Sequence, residues 1–222
     1  MHRNAQLMFD AYGKSFFKPG LSVLEIGPDA SPSTFQKLTR ANSVRWDTLD
    51  IASKHAPPTY LVTDDYSFPV PDNAYDIVLS GQVIEHVRKI WRWFPELARM
   101  VKPGGLVITI NPVSWHYHEA PVDCWRIYPE GMKALAEDAG LEIVSSRWES
   151  VEYDKIPFLP KRVRAEKRFL MLLFGFFWPL HRLTKLPFQG SFDTITIARK
   201  PLAPTSPRTG KLESHALNAA VQ

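Results

Sequence analysis

Two acidic residues lie near the ends of neighbouring apolar runs, where carboxylates could bind the hydroxyl groups of a ligand. The first run, residues 22–26, contains Glu25 and is followed by Gly27 and small polar residues. The second run ends at Asp50, 23 residues beyond Gly27. An acid at an offset of about 20 residues is placed to reach the two hydroxyls of a ribose. The pattern predicts a nucleoside-binding turn at the carboxyl end of a buried parallel strand.

Apolar runs and helical periodicities alternate along most of the chain. We predict helices at 2–17, 33–40, 84–101 with a break at Pro95, and 129–140. Predicted strands cover 21–26, 44–49, 59–63, 75–80, 106–111, 141–148 and 192–198. Alternation of this kind indicates an α/β protein whose parallel sheet is covered by helices on both faces.

Further short motifs follow these two acids in a fixed order. They are Asp64 with Phe68-Pro69, Tyr75-Asp76-Ile77-Val78, Glu85-His86-Val87 and Lys102-Pro103-Gly104-Gly105. With the first turn, this series resembles the class I S-adenosylmethionine-dependent methyltransferases of the type 11 subgroup, over about residues 20–150. The resemblance implies a Rossmann-like, seven-stranded, mostly parallel sheet whose last strand is antiparallel and lies beside the preceding one. It also implies S-adenosyl-L-methionine as cofactor.

The resemblance assigns roles at the donor site. Glu25 tethers the first turn or approaches the amino group of the donor, and Gly27 lets the backbone pass close to it. Asp50 takes the ribose hydroxyls, and Asp64, or its neighbour Asp65, accepts a hydrogen bond from the adenine amino group. The other predicted cofactor-binding residues are Asp29, Ile51, Ser80 and Gln82.

The first turn departs from the family pattern G-x-G-x-G, because Asp29 and Ser31 stand where the second and third glycines are usual. A side chain is costly at positive φ and fills space beside a ligand, although Asp tolerates that region better than most residues. A binding module on the same fold that has lost catalysis is therefore an alternative. A nicotinamide dehydrogenase is disfavoured because the spacing G-x-G-x-x-G is absent.

The long segment 111–128 follows the fifth predicted strand, where open α/β sheets bind their ligands. His116 and His118 are candidates for removing a proton from a hydroxyl acceptor, and Asp123 completes the predicted catalytic set. Alternatively, the histidines bond the loop backbone and Asp123 pairs with Arg126. His116, His118 and Glu119 cluster and could bind a metal. They lack a third ligand at a spacing typical of metal sites, so no metal ion is predicted. We interpret His86 as structural.

Four aromatic residues in this segment could stack on a sugar ring or form the core of a lid: Trp115, Tyr117, Trp125 and Tyr128. The segment also resembles a stretch, H-x-x-P-x-D-x-W-R-x-x-P-E-G, of a bacterial methyltransferase subgroup associated with glycan pathways. This resemblance implies O-methylation, with N-methylation second, of a glycan or lipid-linked acceptor. The alternative acceptor is a small apolar metabolite.

Charge is concentrated in one part of the 222-residue chain. Residues 155–185 hold eight Lys or Arg and one acid, a net +7 within an overall +4, so the rest sums to −3. A nucleic-acid-binding surface spread over the fold is therefore not indicated. The single Cys124 and an amino-terminal segment without the apolar core of a signal peptide indicate a cytoplasmic setting.

The basic segment surrounds an apolar run, residues 169–180, that is too short to span a bilayer as a helix, which needs about 20 residues. It suits the interface of an anionic membrane on the inner face, a lid over the acceptor site, or an oligomer contact. We divide the chain into an N-terminal helix (1–19), a methyltransferase core (20–152), this insertion (153–190), a final core strand (191–200) and a flexible tail (201–222).

Overall fold

One mixed sheet organises the chain. A computed structural model describes residues 3–39, 43–52, 56–119, 121–151 and 192–202. Within these residues the strands are β1 (Ser22–Ile26), β2 (Arg45–Asp50), β3 (Tyr60–Leu61), β4 (Tyr75–Gly81), β5 (Val101–Ser114), β6 (Glu142–Glu149) and β7 (Phe192–Arg199). Their order is β3-β2-β1-β4-β5-β7-β6. β7 lies antiparallel between β5 and β6, and the other neighbouring strands are parallel. The predicted seven-stranded, mostly parallel sheet with an antiparallel last strand is confirmed.

Helices cover both faces of this sheet. They are α1 (Arg3–Met8), which continues as a π-helical turn (Phe9–Gly13) and a 3-10 turn (Lys14–Phe16), α2 (Thr34–Thr39), α3 (Ile90–Met100) and α4 (Pro129–Asp138). Met8 of α1 and Phe35 of α2 pack with one side of the strands. Leu97 of α3 and Met132 of α4 pack with the other side. Successive strand residues point to opposite faces, so the buried strands supply apolar side chains to both cores.

The prediction of one helix over 84–101 with a break at Pro95 is wrong. A 3-10 turn (Ile84–His86) follows β4, and α3 begins only at Ile90. Pro95 lies inside α3, where buried residues recur at helical spacing: Ile90, Trp93, Phe94, Leu97 and Ala98. Packing of this apolar stripe stabilises the helix across the proline, whose ring faces solvent.

Two predicted segments lie outside the described residues. The basic apolar insertion (153–190) falls there entirely, and so does the tail beyond residue 202. Among the described helices, none has the length and apolarity needed to cross a membrane. The parallel strands β1, β2, β4 and β5 bring their carboxyl ends to one edge of the sheet, and the predicted site residues follow these ends.

Candidate active site

The turn after β1 is held against β2 by its glycine. The backbone amide of Gly27 donates a hydrogen bond of 2.9 Å to the carbonyl of Leu49, one residue before Asp50. Gly27 has φ +66°, a conformation that side chains disfavour. A Cβ atom there would lie 2.6 Å from Cγ2 of Val83, which follows β4. The turn therefore requires glycine at this position.

The two other family glycines are not needed here, and the predicted conformational cost at Asp29 and Ser31 is wrong. Among the described residues, Ser43, Asn73 and Gln82 are the non-glycine residues with positive φ. The Asp29 carboxylate accepts hydrogen bonds from the backbone amide of Thr34 at 2.9 Å and from its hydroxyl at 2.6 Å. Asp29 thus stabilises the start of α2, and its predicted contact with a cofactor stays a prediction.

Glu25 lies beneath the same turn with 1% of its surface exposed. Its Oε2 atom accepts hydrogen bonds from the Ser33 hydroxyl at 2.5 Å and from the Trp46 indole at 2.8 Å. Ser33 in turn accepts a hydrogen bond from the amide of Gln36 and caps α2. Burial raises the pKa of Glu25 to about 7. These contacts join Glu25 to the start of α2 and to β2, and its predicted role at the donor site stays a prediction.

Asp50 and the turn after Gly27 line one shallow cleft that is open to solvent. The cleft is also lined by Pro28, Ala30, Ser31, Ser33, Gln36, Thr48, Ala52, Ala56, Pro57 and Pro58. One carboxylate oxygen of Asp50 accepts hydrogen bonds from the amides of Ile51 at 2.7 Å and Ala52 at 3.3 Å. Ile51 is half-exposed beside it. The predicted ribose acid and the predicted turn therefore share one opening.

The remaining predicted donor residues lie at the borders of this region. Asp64 and Asp65 follow β3, are exposed and do not line the cleft, and Asp64 accepts a hydrogen bond of 2.8 Å from the amide of Tyr66. Ser80 is buried in β4. Gln82 has φ +59°, and its backbone amide donates a hydrogen bond of 2.8 Å to the Ile110 carbonyl. A backbone strained in this way is common next to functional sites.

The loop after β5 is organised around Asp123, whose side chain is 1% exposed. Its carboxylate pairs with the Arg126 guanidinium through both oxygens and accepts the His118 amide at 2.8 Å. The hydrogen bond from Arg126 lowers the pKa of Asp123 to about 2. His118 Nδ1 lies 3.4 Å from Asp123 Oδ2, and the His116 carbonyl accepts from Arg126 at 3.2 Å. These contacts favour the predicted ion pair as the role of Asp123.

The same loop packs on the 3-10 turn after β4, where a carboxylate lies that sequence reasoning did not assign. The Cys124 amide donates to the Glu85 carbonyl at 2.7 Å, and His86 Nδ1 bonds the Val122 carbonyl. Glu85 is 1% exposed, and burial raises its pKa to about 8. Ligand atoms of Glu85, His86 and His118 lie within 4.8 Å of one another. The available signal was the Glu-His dipeptide directly after β4.

The four loop aromatics divide between packing and surface. The Trp125 indole donates to the Val87 carbonyl at 2.8 Å and packs edge-to-face with Trp91. Tyr117 and Tyr128 are exposed, and the centroid of the Tyr128 ring lies 6.0 Å from that of Trp148. Trp125 thus belongs to the lid core, whereas Tyr117 and Tyr128 offer ring surface to solvent.

Known proteins share the sequence pattern and the fold. Residues 26–109 match the methyltransferase domain family. A protein of Mycobacteroides abscessus described as an uncharacterized methyltransferase is 46% identical over 102 residues, which cover 40% of this chain and 39% of that protein. The chain thus spans about two fifths of the length of this curated relative.

Solved structures agree with this match in their fold. A SAM-dependent methyltransferase from Archaeoglobus fulgidus aligns with a TM-score of 0.56 at 18% identity, over 88% of this chain and 92% of that chain. Phosphoethanolamine N-methyltransferase 2 of Haemonchus contortus, in complex with S-adenosyl-L-methionine, aligns with a TM-score of 0.54 at 18% identity, over 89% and 52%. The match places a methyltransferase domain in residues 26–109, and the fold of the chain is that of S-adenosylmethionine-dependent methyltransferases.

Proposed function

We propose that this chain transfers a methyl group from S-adenosyl-L-methionine to an oxygen atom of a glycan or lipid-linked acceptor. The observation that carries the donor half of the proposal is the shared cleft of Asp50 and the turn after Gly27. Ring hydroxyls of a nucleoside match a carboxylate at the end of β2, and a glycine turn allows close approach of the backbone.

Several residues would hold the donor. Asp50 would accept the ribose hydroxyls, Ile51 would cover the adenine ring, and Asp64 would accept from the adenine amino group. Glu25 keeps the turn in place through Ser33. When bound, the cofactor would supply a methyl group carried on a sulfonium sulfur. In-line attack by an acceptor would transfer the methyl group and leave the sulfur as a neutral thioether. The protein therefore contributes chiefly by orienting donor and acceptor.

The loop after β5 is the proposed acceptor side. His116 and His118 are the candidates for taking a proton from an acceptor hydroxyl, because imidazole titrates near neutral pH. Asp123 and Arg126 fix the loop that carries them. A rigid loop positions its histidines at lower entropic cost than a mobile one.

The acceptor class rests on two features of the sequence. One is the likeness of the loop to the glycan-associated subgroup, and the other is the basic apolar segment, which suits the inner face of an anionic membrane. By its name, the Haemonchus contortus protein of the same fold methylates a nitrogen of phosphoethanolamine, so its acceptor atom differs from the oxygen proposed here. A small apolar metabolite, with the same segment as a lid, is the second candidate.

Calorimetric titration with S-adenosylhomocysteine tests the donor site. We expect micromolar binding by the wild type and a loss of about 10- to 100-fold in Asp50→Asn, because a charge-assisted hydrogen bond contributes about 1.5–3 kcal/mol. Asparagine keeps an oxygen that can accept from the Ile51 amide. Asp138→Asn, at the exposed end of α4, is the matched control and should bind as the wild type does. Absence of binding in the wild type would support the non-catalytic module instead.

Acceptor screening with a radiolabelled methyl donor tests the second half. We expect label in the glycolipid fraction of membranes and cosedimentation of the protein with anionic vesicles. The acceptor assignment is abandoned if the protein ignores anionic vesicles, stays in solution without detergent and labels a soluble metabolite.

A further inference from the structure

One carboxylate and two imidazoles meet between the 3-10 turn after β4 and the loop after β5. Ligand atoms of Glu85, His86 and His118 all lie within 4.8 Å of one another, and His86 Nε2 is 3.8 Å from Glu85 Oε1. We propose that these three side chains bind a divalent transition-metal ion of the zinc type. The binding claim does not depend on methyl transfer.

The burial of Glu85 is the first argument for an ion. Its side chain is 1% exposed, and within the part of the chain that the structure describes neither carboxylate oxygen has a hydrogen-bond partner on another residue. A buried carboxylate without such partners is costly, so native proteins pair such groups with donors or metals. Arg126 is a nearby cation among these residues, but its guanidinium is already bound in bidentate fashion by Asp123. A metal ion would give the Glu85 carboxylate the partner that it lacks.

The orientation of the two imidazoles is the second argument. His86 Nδ1 bonds the Val122 carbonyl, and His118 Nδ1 faces the His116 carbonyl at 3.2 Å and Asp123 Oδ2 at 3.4 Å. Histidines that bind metals usually donate their other ring nitrogen to a carbonyl or a carboxylate. We therefore assign Nε2 of each ring as the ligand atom.

The donor set selects the class of metal. Two imidazole nitrogens and one carboxylate oxygen are a three-ligand set of zinc enzymes, which leaves a further position open, whereas Ca²⁺ and Mg²⁺ prefer oxygen ligands throughout. Zinc ligands at about 2.1 Å from the ion lie about 3.4 Å apart in a tetrahedron. The ligand atoms of the cluster must approach one another by about 1 Å to reach this geometry.

The open position gives the site a role if the proposed methyl transfer is correct. It would take the acceptor oxygen and lower the pKa of its hydroxyl, as zinc does for bound water. His118 would then hold the metal rather than a proton, and His116 would be the loop histidine available as a base. This step alone rests on the proposed function.

Zinc titration of the full chain, after removal of metals with a chelator, tests the site. Competition with a chromophoric chelator gives the affinity, and replacement by Co²⁺ gives an absorption spectrum that reports nitrogen and oxygen ligands. We expect one tight equivalent per chain, weakened by about 100-fold or more in Glu85→Gln and in His118→Ala, since even supporting residues of metal sites contribute 10- to 100-fold.

His116→Ala and Glu119→Gln are the matched controls, because both residues lie in the same loop but outside the cluster. They should keep wild-type zinc affinity and an unchanged cobalt spectrum. The proposal is overturned if zinc does not bind, if His118→Ala binds it as tightly as the wild type does, or if the two control variants lose it. Should Glu85→Gln fail to fold, the loop variant still decides the question. S-adenosylhomocysteine titration is a separate readout, so failure of the donor site is distinguishable.

Discussion

The Cγ2 atom of Val83 lies 2.6 Å from the position that a Cβ atom on Gly27 would take. This contact joins the turn after β1 to the segment after β4. Gly27→Ala should destabilise the protein by about 2–5 kcal/mol, because the left-handed backbone costs about 1–2 kcal/mol and the overlap adds about 1–3 kcal/mol. Urea unfolding measures the loss.

Gly20→Ala is the matched control for this loss. Gly20 also has positive φ, +85°, but a Cβ atom there would lie within 4 Å of no atom of the residues that the structure describes. Gly20→Ala should therefore cost only the conformational part, about 1–2 kcal/mol. The double variant Gly27→Ala/Val83→Ala should lose less stability than the sum of the losses in the two single variants. Equal losses in Gly20→Ala and Gly27→Ala would contradict the assigned contact.

Glu25 predicts a pH dependence of stability. Its folded pKa of about 7 lies above the ordinary value of 4.5, so the folded state binds more protons between these pH values. The wild type should lose stability as pH rises through this window, by up to about 3 kcal/mol. Glu25→Gln can still accept from Ser33 and Trp46 through one oxygen, and it should lack this loss.

Urea unfolding at pH 5, 6, 7 and 8 checks this prediction. The stability of Glu25→Gln relative to the wild type should increase steadily with pH. Glu142→Gln, an exposed change at the start of β6, should follow the wild type at every pH. A constant difference between wild type and Glu25→Gln would show that Glu25 titrates alike in both states.

Much of the fold was predictable because burial leaves a direct imprint on sequence. Strands such as β4 and β7 are buried along almost their whole length, and their predicted bounds agree with the structure within one or two residues. Pro95 was misread because a local rule about proline was applied where an apolar stripe decides the structure. Local preference is overruled by tertiary packing in such cases.

The donor side of the site was easier to predict than the acceptor side. Asp50 and Gly27 are set by strand ends and one turn, which the sequence pattern marks. The cluster of Glu85 and His118 depends on how a loop folds back over a 3-10 turn, and no periodicity encodes that contact. The prediction of a conformational cost at Asp29 and Ser31 was wrong for a related reason, because φ at Asp29 depends on the path of the loop into α2.

Asp64 and Asp65 allow a prediction about the adenine contact. Both residues are exposed in the same turn, and the Asp64 carboxylate accepts a hydrogen bond from the backbone amide of Tyr66. Asp64→Ala should weaken S-adenosylhomocysteine by about 10-fold, the contribution of one hydrogen bond to a charged group. Asp65→Ala is the control and should change the affinity by less than about 2-fold. Calorimetry that finds the reverse order would assign the adenine contact to Asp65.

The Asp123 carboxylate should contribute to the local stability of the loop after β5. Removal of its carboxylate in Asp123→Ala takes away the Arg126 pair and the acceptor for the His118 amide. Exchange of the His118 amide hydrogen should accelerate by about 10- to 100-fold, as expected for a loss of about 1–3 kcal/mol in local stability. The Glu119→Gln variant should exchange at the wild-type rate.

The pH dependence of this loop follows from the same carboxylate. Because Arg126 lowers the folded pKa of Asp123 to about 2, the pair stabilises the loop fully above the ordinary value of 3.8. This stabilisation should be lost as pH falls from about 4 towards 2. The exchange rate of the His118 amide hydrogen, divided by the rate in an unstructured peptide at the same pH, should then become similar in the wild type and in Asp123→Ala. A difference between the two proteins that persists unchanged to pH 2 would mean that protonation of Asp123 does not release the loop. Equal exchange rates of the two proteins already at pH 7 would mean that packing holds His118 in position without the Asp123 carboxylate.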